Sequence, residues 1–326
     1  MNPKEFQKCF EMLADEIGRT VIGHREAIVD LLTGLFAGGN ILLEAPPGLG
    51  KTLMGKTLAG ALHIHCARIQ FTPDLMPADI VGTNIIVEDE AGNKEFVFQK
   101  GPVFTNLLLV DEINRATPKT QSALLEAMQE QHVTAAGETH ELDKPFLVVA
   151  TQNPQDLDGT YRLPEAQVDR FLFRLRLMDL ADQDWIDVTR RRTGTQQVEV
   201  KAVLSKDDVT AMKEAVRRVD VDREVCVYGA RLVTATHPGS DLATPSVDRY
   251  LRLGSSPRGL QALILGAKVR ALCEGRAKAM IADVNSVVVP ALGHRLLFNF
   301  EGQAEMIEPE TIVREILESS ERRKAS

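Results

Sequence analysis

A chain of 326 residues that is 44% hydrophobic and 26% charged carries apolar material for two domains, or for one domain with a substantial appendage. Its net charge of −8 and pI near 5.5 exclude the overall basic footprint of a tight duplex binder, while leaving open a local basic pore inside an acidic ring. Cys9, Cys66, Cys226 and Cys273 form no C-x-x-C pair, Met1 to Met12 lacks a signal-peptide core, and no apolar run reaches membrane-spanning length, so reduced thiols in a cytoplasmic protein are expected.

Up to about residue 180, short apolar runs alternate with helix-like segments, the pattern of βαβ units around a parallel sheet. Strands are expected at Ile41–Glu44, Ala67–Gln70, Leu107–Val110, Phe146–Thr151 and Phe171–Leu177. Several are almost continuously apolar, as strands covered on both faces must be. Two hairpins interrupt the series. Ile85–Val87 and Phe96–Phe98 flank a turn at Ala91-Gly92-Asn93, and Val133–Ala135 and Thr139–Leu142 flank Gly137. Beyond Leu180 the character becomes helical. Ser205 and Asp208 have capping-box spacing, and Val209, Met212, Val216 and Val219 then recur at helical intervals. Ser256-Pro257 opens another helix, through Leu260, Leu263, Ile264, Ala267 and Ala271 to Gly275, and Pro309–Glu318 is a further short one. Residues about 193–202 read as a flexible connection, and a mainly helical second domain is expected from near 180.

The run Ile41-Leu42-Leu43-Glu44 leads into Ala45-Pro46-Pro47-Gly48-Leu49-Gly50-Lys51-Thr52, with a helix expected from about Lys51. Glycines let backbone N–H groups point inward at phosphate oxygens, and the helix N-terminus adds its positive dipole end. Lys51 would neutralise β- and γ-phosphates, and the Thr52 hydroxyl would coordinate Mg²⁺. Ala45 stands where G-x-x-x-x-G-K-[ST] has its first glycine, a modest change if its φ is negative. The bland alternative is a Gly/Pro turn that happens to precede Lys-Thr, and the strand–loop–helix setting speaks against it.

The strand Leu107–Val110 ends in Asp111-Glu112, and residues at the carboxyl edge of a parallel sheet face the ligand crevice. Asp111 would hold Mg²⁺ through water, and Glu112 would polarise the attacking water as a general base. A solvated carboxylate pair, or a cap on the next helix, is the alternative. Phe146–Thr151 runs on into Gln152-Asn153-Pro154, where Asn153 would orient water against a γ-phosphate; its ordinary counterpart is an Asn-Pro turn.

In this order the motifs resemble those of the AAA+ ATPases, with Walker A at 45–52, Walker B at 107–112 and sensor 1 at Asn153. More narrowly, the chain resembles the MoxR family. The resemblance is carried by Val21-Ile22-Gly23-His24, Arg68-Ile69-Gln70-Phe71-Thr72-Pro73-Asp74-Leu75 and Asp111-Glu112-Ile113-Asn114-Arg115-Ala116. It continues through Ala123-Leu124-Leu125-Glu126-Ala127-Met128-Gln129-Glu130, Ala150-Thr151-Gln152-Asn153-Pro154, Leu163-Pro164-Glu165-Ala166-Gln167-Val168-Asp169-Arg170-Phe171 and Ser256-Pro257-Arg258, densest from about 20 to 177.

That resemblance implies an α/β fold. Residues 1–180 would form a AAA+ P-loop NTPase core, a five-stranded parallel sheet with helices on both faces and hairpin inserts at about 84–99 and 131–144; residues 181–326 would form a C-terminal α-helical lid domain. It implies ATP and Mg²⁺ as cofactors. Val21, Ile22 and Gly23 would line the adenine pocket, Pro47, Gly48, Leu49, Gly50, Lys51, Thr52 and Leu53 would bind along the phosphates, and Thr52 and Asp111 would hold the metal. Lys51, Glu112 and Asn153 are the implied catalytic groups. Arg170 matches the arginine finger, supplied to the neighbouring subunit's γ-phosphate, and Arg258 matches sensor 2, acting in cis or in trans. Arg162, Arg174 and Arg176 compete for the finger role, and surface ion pairing is the alternative for both arginines.

The implied function is an ATP-hydrolysing, chaperone-like remodeller, a homo-oligomer acting as a hexameric ring. It would mature or activate a client protein, with a partner bearing a von Willebrand factor A domain. The hairpins would face the pore or the partner, unless they are plain surface hairpins. A nucleic-acid motor shares the same core, but the acidic pI weighs against nucleic acid, and the second hairpin has only His132, His140 and Lys144 as basic residues. No aromatic platform for bases is evident near either hairpin. A slow ATP-dependent binding switch has the same site and differs in rate. GTP is not expected, since Asn93-Lys94-Glu95-Phe96 lacks the Asp of an N-K-x-D guanine reader.

Overall fold

The computed structural model describes residues 1–46, 48–88, 92–135, 137–153, 160–161, 163–194 and 199–325, with backbone alone at 192 and 323–325. In chain order the strands are β1 (Ile41–Glu44), β2 (Cys66–Gln70), β3 (Gly82–Glu88), β4 (Lys94–Lys100), β5 (Leu107–Asp111), β6 (His132–Ala135), β7 (Glu138–Glu141), β8 (Leu147–Gln152) and β9 (Phe173–Arg176). Five of them form one parallel sheet in the order β2-β5-β8-β1-β9, while β3 pairs with β4 and β6 with β7 as antiparallel hairpins.

The expected strands are all present: Ile41–Glu44 has the expected bounds, and the other four are shifted by one or two residues at one end or both. β9 starts two residues later than the apolar run, because the backbone of Phe171 and Leu172 is used elsewhere. Leu172 N–H donates to the Asn40 carbonyl at 2.8 Å, and the Phe171 carbonyl accepts from His294 and Arg295 of the helical half. The sheet's two faces follow from strand periodicity. Ile41, Leu43, Leu107, Leu109, Leu147 and Val149 face one core; Leu42, Leu108, Val110, Val148 and Ala150 face the other.

Helices α1 (Pro3–Thr20), α2 (Arg25–Phe36), α3 (Lys51–Leu62), α4 (Pro77–Val81) and α5 (Pro118–Glu130) accompany the sheet. After it come α6 (Glu165–Val168), α7 (Asp182–Thr193), α8 (Lys206–Arg217), α9 (Arg223–Ala235), α10 (Pro245–Tyr250) and α11 (Pro257–Cys273), then shorter helices and a C-terminal helix Pro309–Ala325. The capping box at Ser205 and the Ser256 cap form where the sequence placed them, and the C-terminal helix runs past Glu318. The helical half also holds two short strand pairs: Asp220–Val221 with Lys278–Ala279, and Leu251–Leu253 with Leu297–Phe298. Among the described residues no helix is long and apolar enough to cross a membrane.

Helix α1 was not legible as a run, yet Phe6, Phe10, Leu13 and Ile17 recur every three or four residues and are all buried. They join α2, α3 and α11 in a single apolar cluster, so one core is shared by the sheet and the helical half. Each buried aromatic or aliphatic side chain contributes roughly 1.5–3 kcal/mol there. Residues 195–198 of the expected connection lie outside the described residues. The part that follows is tied down: Lys201 N–H donates to Glu16 Oε1 at 2.8 Å, and Val203 N–H to the Ala61 carbonyl at 2.8 Å.

Candidate nucleotide site

The carboxyl ends of the parallel strands form one edge, where register sets Gln70 beside Asp111 and Glu44 beside Gln152. The loop after β1 turns into α3 with Gly48 at φ 90° and Gly50 at φ 84°, left-handed conformations that glycine adopts without penalty. Among the described residues a Cβ at either position would meet nothing within 4 Å, which leaves space before the helix N-terminus. Ala45 is buried and is not among the positive-φ residues, which meets the condition for alanine in place of the motif's first glycine. Lys51 Nζ donates to the Ala45 carbonyl at 2.6 Å, folding back along the loop it follows. Pro47, Pro154 and Arg162 lie outside the described residues.

Thr52 and Asp111 converge: the hydroxyl lies 3.3 Å from each carboxylate oxygen. Thr151 Oγ1 donates to Asp111 Oδ1 at 3.4 Å and accepts from Glu112 N–H at 3.1 Å, bridging β8 to the end of β5. Arg68 Nε pairs with Asp111 Oδ2 at 2.7 Å. A hydroxyl and a buried carboxylate beside an anion cradle make a hard-oxygen donor set, which fits Mg²⁺ held jointly with phosphate oxygens.

Glu112 has φ 57° and ψ 51°, an uncommon conformation for a residue with a side chain. Gln70 Nε2 donates to Glu112 Oε2 at 2.9 Å, and Arg115 Nε lies 3.0 Å from the same oxygen. Asn153 follows β8 directly and is buried.

A cavity of about 470 Å³ adjoins the loop and brings Val21, Ile22, Gly48, Leu49, Gly50 and Leu53 together with His24, Leu180, Trp185, Val188 and Arg191. Gly23, expected to line the adenine pocket with Val21 and Ile22, does not line this cavity; it has φ 78°, and a Cβ there would lie 2.5 Å from Leu180 Cδ2, so the segment needs glycine to pass. Burial pushes the His24 imidazole below its ordinary value, against Asp184 and a hydrogen bond with the Leu49 backbone, which keeps the ring neutral near pH 7. His24, Leu180, Trp185, Val188 and Arg191 line the cavity with no sequence signal that marks them for it. The last four come from α7 and the residues before it, a polar segment whose proximity is a product of the fold.

The basic candidates part company. Arg170 Nη1 donates to the Leu125 carbonyl at 3.3 Å, while its Nε is buried without a partner among the described residues. Arg258 Nη1 binds Asp169 Oδ2 at 3.0 Å, beside Ser256 Oγ at 2.9 Å from the same carboxylate, and does not line the cavity. Arg174 and Arg176 are held within the chain: Arg174 by Glu310 at 3.3 Å, Arg176 by Glu310 at 3.1 Å and by Glu308, and both by Glu44 within 4 Å. Arg295, which no sequence motif marks, is buried; its guanidinium binds Asp169 Oδ1 at 2.9 Å and the carbonyls of Asp169, Phe171, Leu172 and Ala291. Burial pushes it down to about 10, with Asp169 opposing.

The profile of the ATPase family associated with various cellular activities (AAA) matches residues 40–173, and that of the AAA lid domain matches residues 245–316. Chaperone MoxR1 of Mycobacterium tuberculosis is 39% identical over 304 residues, covering 93% of this chain and 80% of that protein. The protein YeaC of Bacillus subtilis is 40% identical over 304 residues, covering 93% and 91%, and the protein MoxR of Methylorubrum extorquens is 29% identical over 315 residues, covering 91% and 90%. A crystal structure of a Cytophaga hutchinsonii protein assigned as an ATPase superposes with a TM-score of 0.89 at 39% identity, covering 97% of this chain and 96% of that one. With the phosphate-loop fold, the helical lid and these relatives together, the chain belongs to the MoxR family of AAA+ ATPases.

Proposed function

We propose that this protein binds ATP with Mg²⁺, hydrolyses it, and uses the cycle to remodel a client protein as a homo-oligomeric, hexameric ring in the cytoplasm. The observation that supports hydrolysis is the convergence of Thr52 and Asp111, with Glu112 next in the chain, on the sheet edge that leads into the open loop at Gly48 and Gly50. Bound Mg²⁺ would supply a charge that offsets the negative charge on the transferring phosphoryl group. Lys51 would leave the Ala45 carbonyl for the phosphates, and Asn153 would orient water. Glu112 would exchange its bonds to Gln70 and Arg115 for that water; general-base catalysis of this kind contributes roughly 10²–10⁴-fold.

The site is read as shared. Arg258 pairs with Asp169, the residue before Arg170, and neither arginine is among the residues that line its own chain's cavity, so both are proposed to serve the neighbouring subunit's nucleotide in trans. The boundary near 180 then divides an ATP core from a lid that carries Arg258. A client and a partner with a von Willebrand factor A domain are carried over from the family resemblance, and one relative is named a chaperone.

Steady-state ATPase measurements on Lys51→Ala and Glu112→Gln test the hydrolytic part; turnover equal to wild type in either would overturn it. For the shared site, Arg170→Ala protein that assembles normally and hydrolyses at the wild-type rate would remove the finger assignment. Affinity capture with Glu112→Gln as an ATP-bound trap tests the remodelling role, with an empty ATP-dependent eluate counting against it.

A further inference from the structure

Asp111 is 5% exposed, and both of its oxygens are engaged. Thr52 Oγ1 lies 3.3 Å from each, Thr151 Oγ1 3.4 Å from Oδ1, and Arg68 Nε 2.7 Å from Oδ2. Hydroxyls donate hydrogen bonds but leave the charge in place, and a buried carboxylate is costly without a cation. Arg68 is the cation paired with it here. It reaches Asp111 from β2, where Arg68 and Gln70 lie on the same side of the strand and Gln70 is the register partner of Asp111. Unlike Asp111, the Arg68 side chain is 45% exposed, so it has water to move into.

We propose that Arg68 is a displaceable counter-ion of the metal site: it neutralises Asp111 in the metal-free protein and is expelled from Oδ2 when Mg²⁺ arrives with the nucleotide. The proposal rests on the Mg²⁺ reading above. The guanidinium and the metal would draw on the same carboxylate. Loading is then a cation exchange at a carboxylate that is never left bare. The exchange also reaches the second carboxylate. Arg68 Nη2 donates to Gln70 Oε1 at 3.4 Å, and Gln70 Nε2 donates to Glu112 Oε2 at 2.9 Å. Withdrawing Arg68 removes one support of the Gln70 amide that holds Glu112, so metal arrival loosens the general base from its resting bond.

The test is Mn²⁺ binding, read by the EPR signal of free Mn²⁺, to the full-length protein at saturating ADP. Wild type, Arg68→Gln, Arg68→Lys and Thr52→Ala are compared, each checked for folding by urea unfolding. An exposed or half-exposed ion pair limits the gain, so Arg68→Gln is expected to bind Mn²⁺ about fivefold more tightly than wild type. Arg68→Lys keeps a charge but loses the planar fork and is expected between the two. Mn²⁺ binding that is unchanged or weaker in both Arg68 variants overturns the exchange while leaving the metal site intact. Absence of an ADP-dependent Mn²⁺ site in wild type, or wild-type binding by Thr52→Ala, overturns the Mg²⁺ reading and the exchange with it.

Discussion

Arg258 Nη1 lies 3.0 Å from Asp169 Oδ2, and Asp169 is the residue before Arg170. The first turn of lid helix α11 and the segment carrying the proposed finger are therefore joined inside one chain, with Ser256 and Arg295 on the same carboxylate. The two arginines that hold Asp169 differ in burial: the Arg295 side chain is 2% exposed and that of Arg258 is 48% exposed.

That difference predicts unequal costs. Asp169→Ala would leave Arg295 as a buried charge without its carboxylate, a loss of about 3–5 kcal/mol. Arg258→Ala would remove a half-solvated pair and cost about 1 kcal/mol or less. Urea unfolding of both variants at pH 7 measures the gap, which should exceed about 2 kcal/mol on these figures.

Gln70 and Arg115 both hold Glu112 Oε2. Removing either by alanine releases one resting bond that Glu112 would otherwise have to give up, so kcat should rise by up to roughly fivefold, about the net size of one hydrogen bond, with KM for ATP unchanged. A change confined to KM would instead place these residues in nucleotide binding.

Gly50 combines φ 84° with open space ahead of it. Gly50→Ala should cost about 1–2 kcal/mol of stability through the left-handed backbone. Its methyl would also sit where phosphates are expected, so affinity for a fluorescent ATP analogue should fall by about tenfold or more. Equal affinity with reduced stability would mean that phosphates do not approach this carbon.

Trp185 is the chain's single tryptophan, and it lines the cavity beside Gly48 and Leu53. Adding ATP or ADP should change its emission saturably, and Trp185→Phe should abolish the signal while retaining the fold. An unchanged spectrum at saturating nucleotide would place the base elsewhere.

Asp30 pairs with Arg270 at 2.5 Å, yet burial pushes its carboxyl up to about 6 from 3.8. The folded state then holds its proton more tightly than the unfolded chain does. Stability from this group is full below about pH 4 and is lost as pH rises through about 6, by about 3 kcal/mol in total. Asp30→Asn lacks this slope, so the wild-type minus variant difference in urea-unfolding free energy should become less favourable to wild type between pH 4 and 7. A constant difference across that range would exclude the raised value.

Local chemistry made much of this protein legible as sequence. The strands, the phosphate loop and the caps at Ser205 and Ser256 each arise from neighbours in the chain: apolar runs, glycines that tolerate positive φ, side chains that bond the first turn of their own helix. The resemblance supplied names for Arg170 and Arg258, but no spacing rule reports what a guanidinium touches. Long-range approach decided the rest. Arg68 meets Asp111 because β2 and β5 are sheet neighbours, Trp185 meets the loop because α7 folds back, and Arg295 meets Asp169 across 126 residues because α1, α11 and the sheet share one core. Burial then fixes which of these charges stay paired, since a half-exposed Arg68 has water to move into and a buried Arg295 does not.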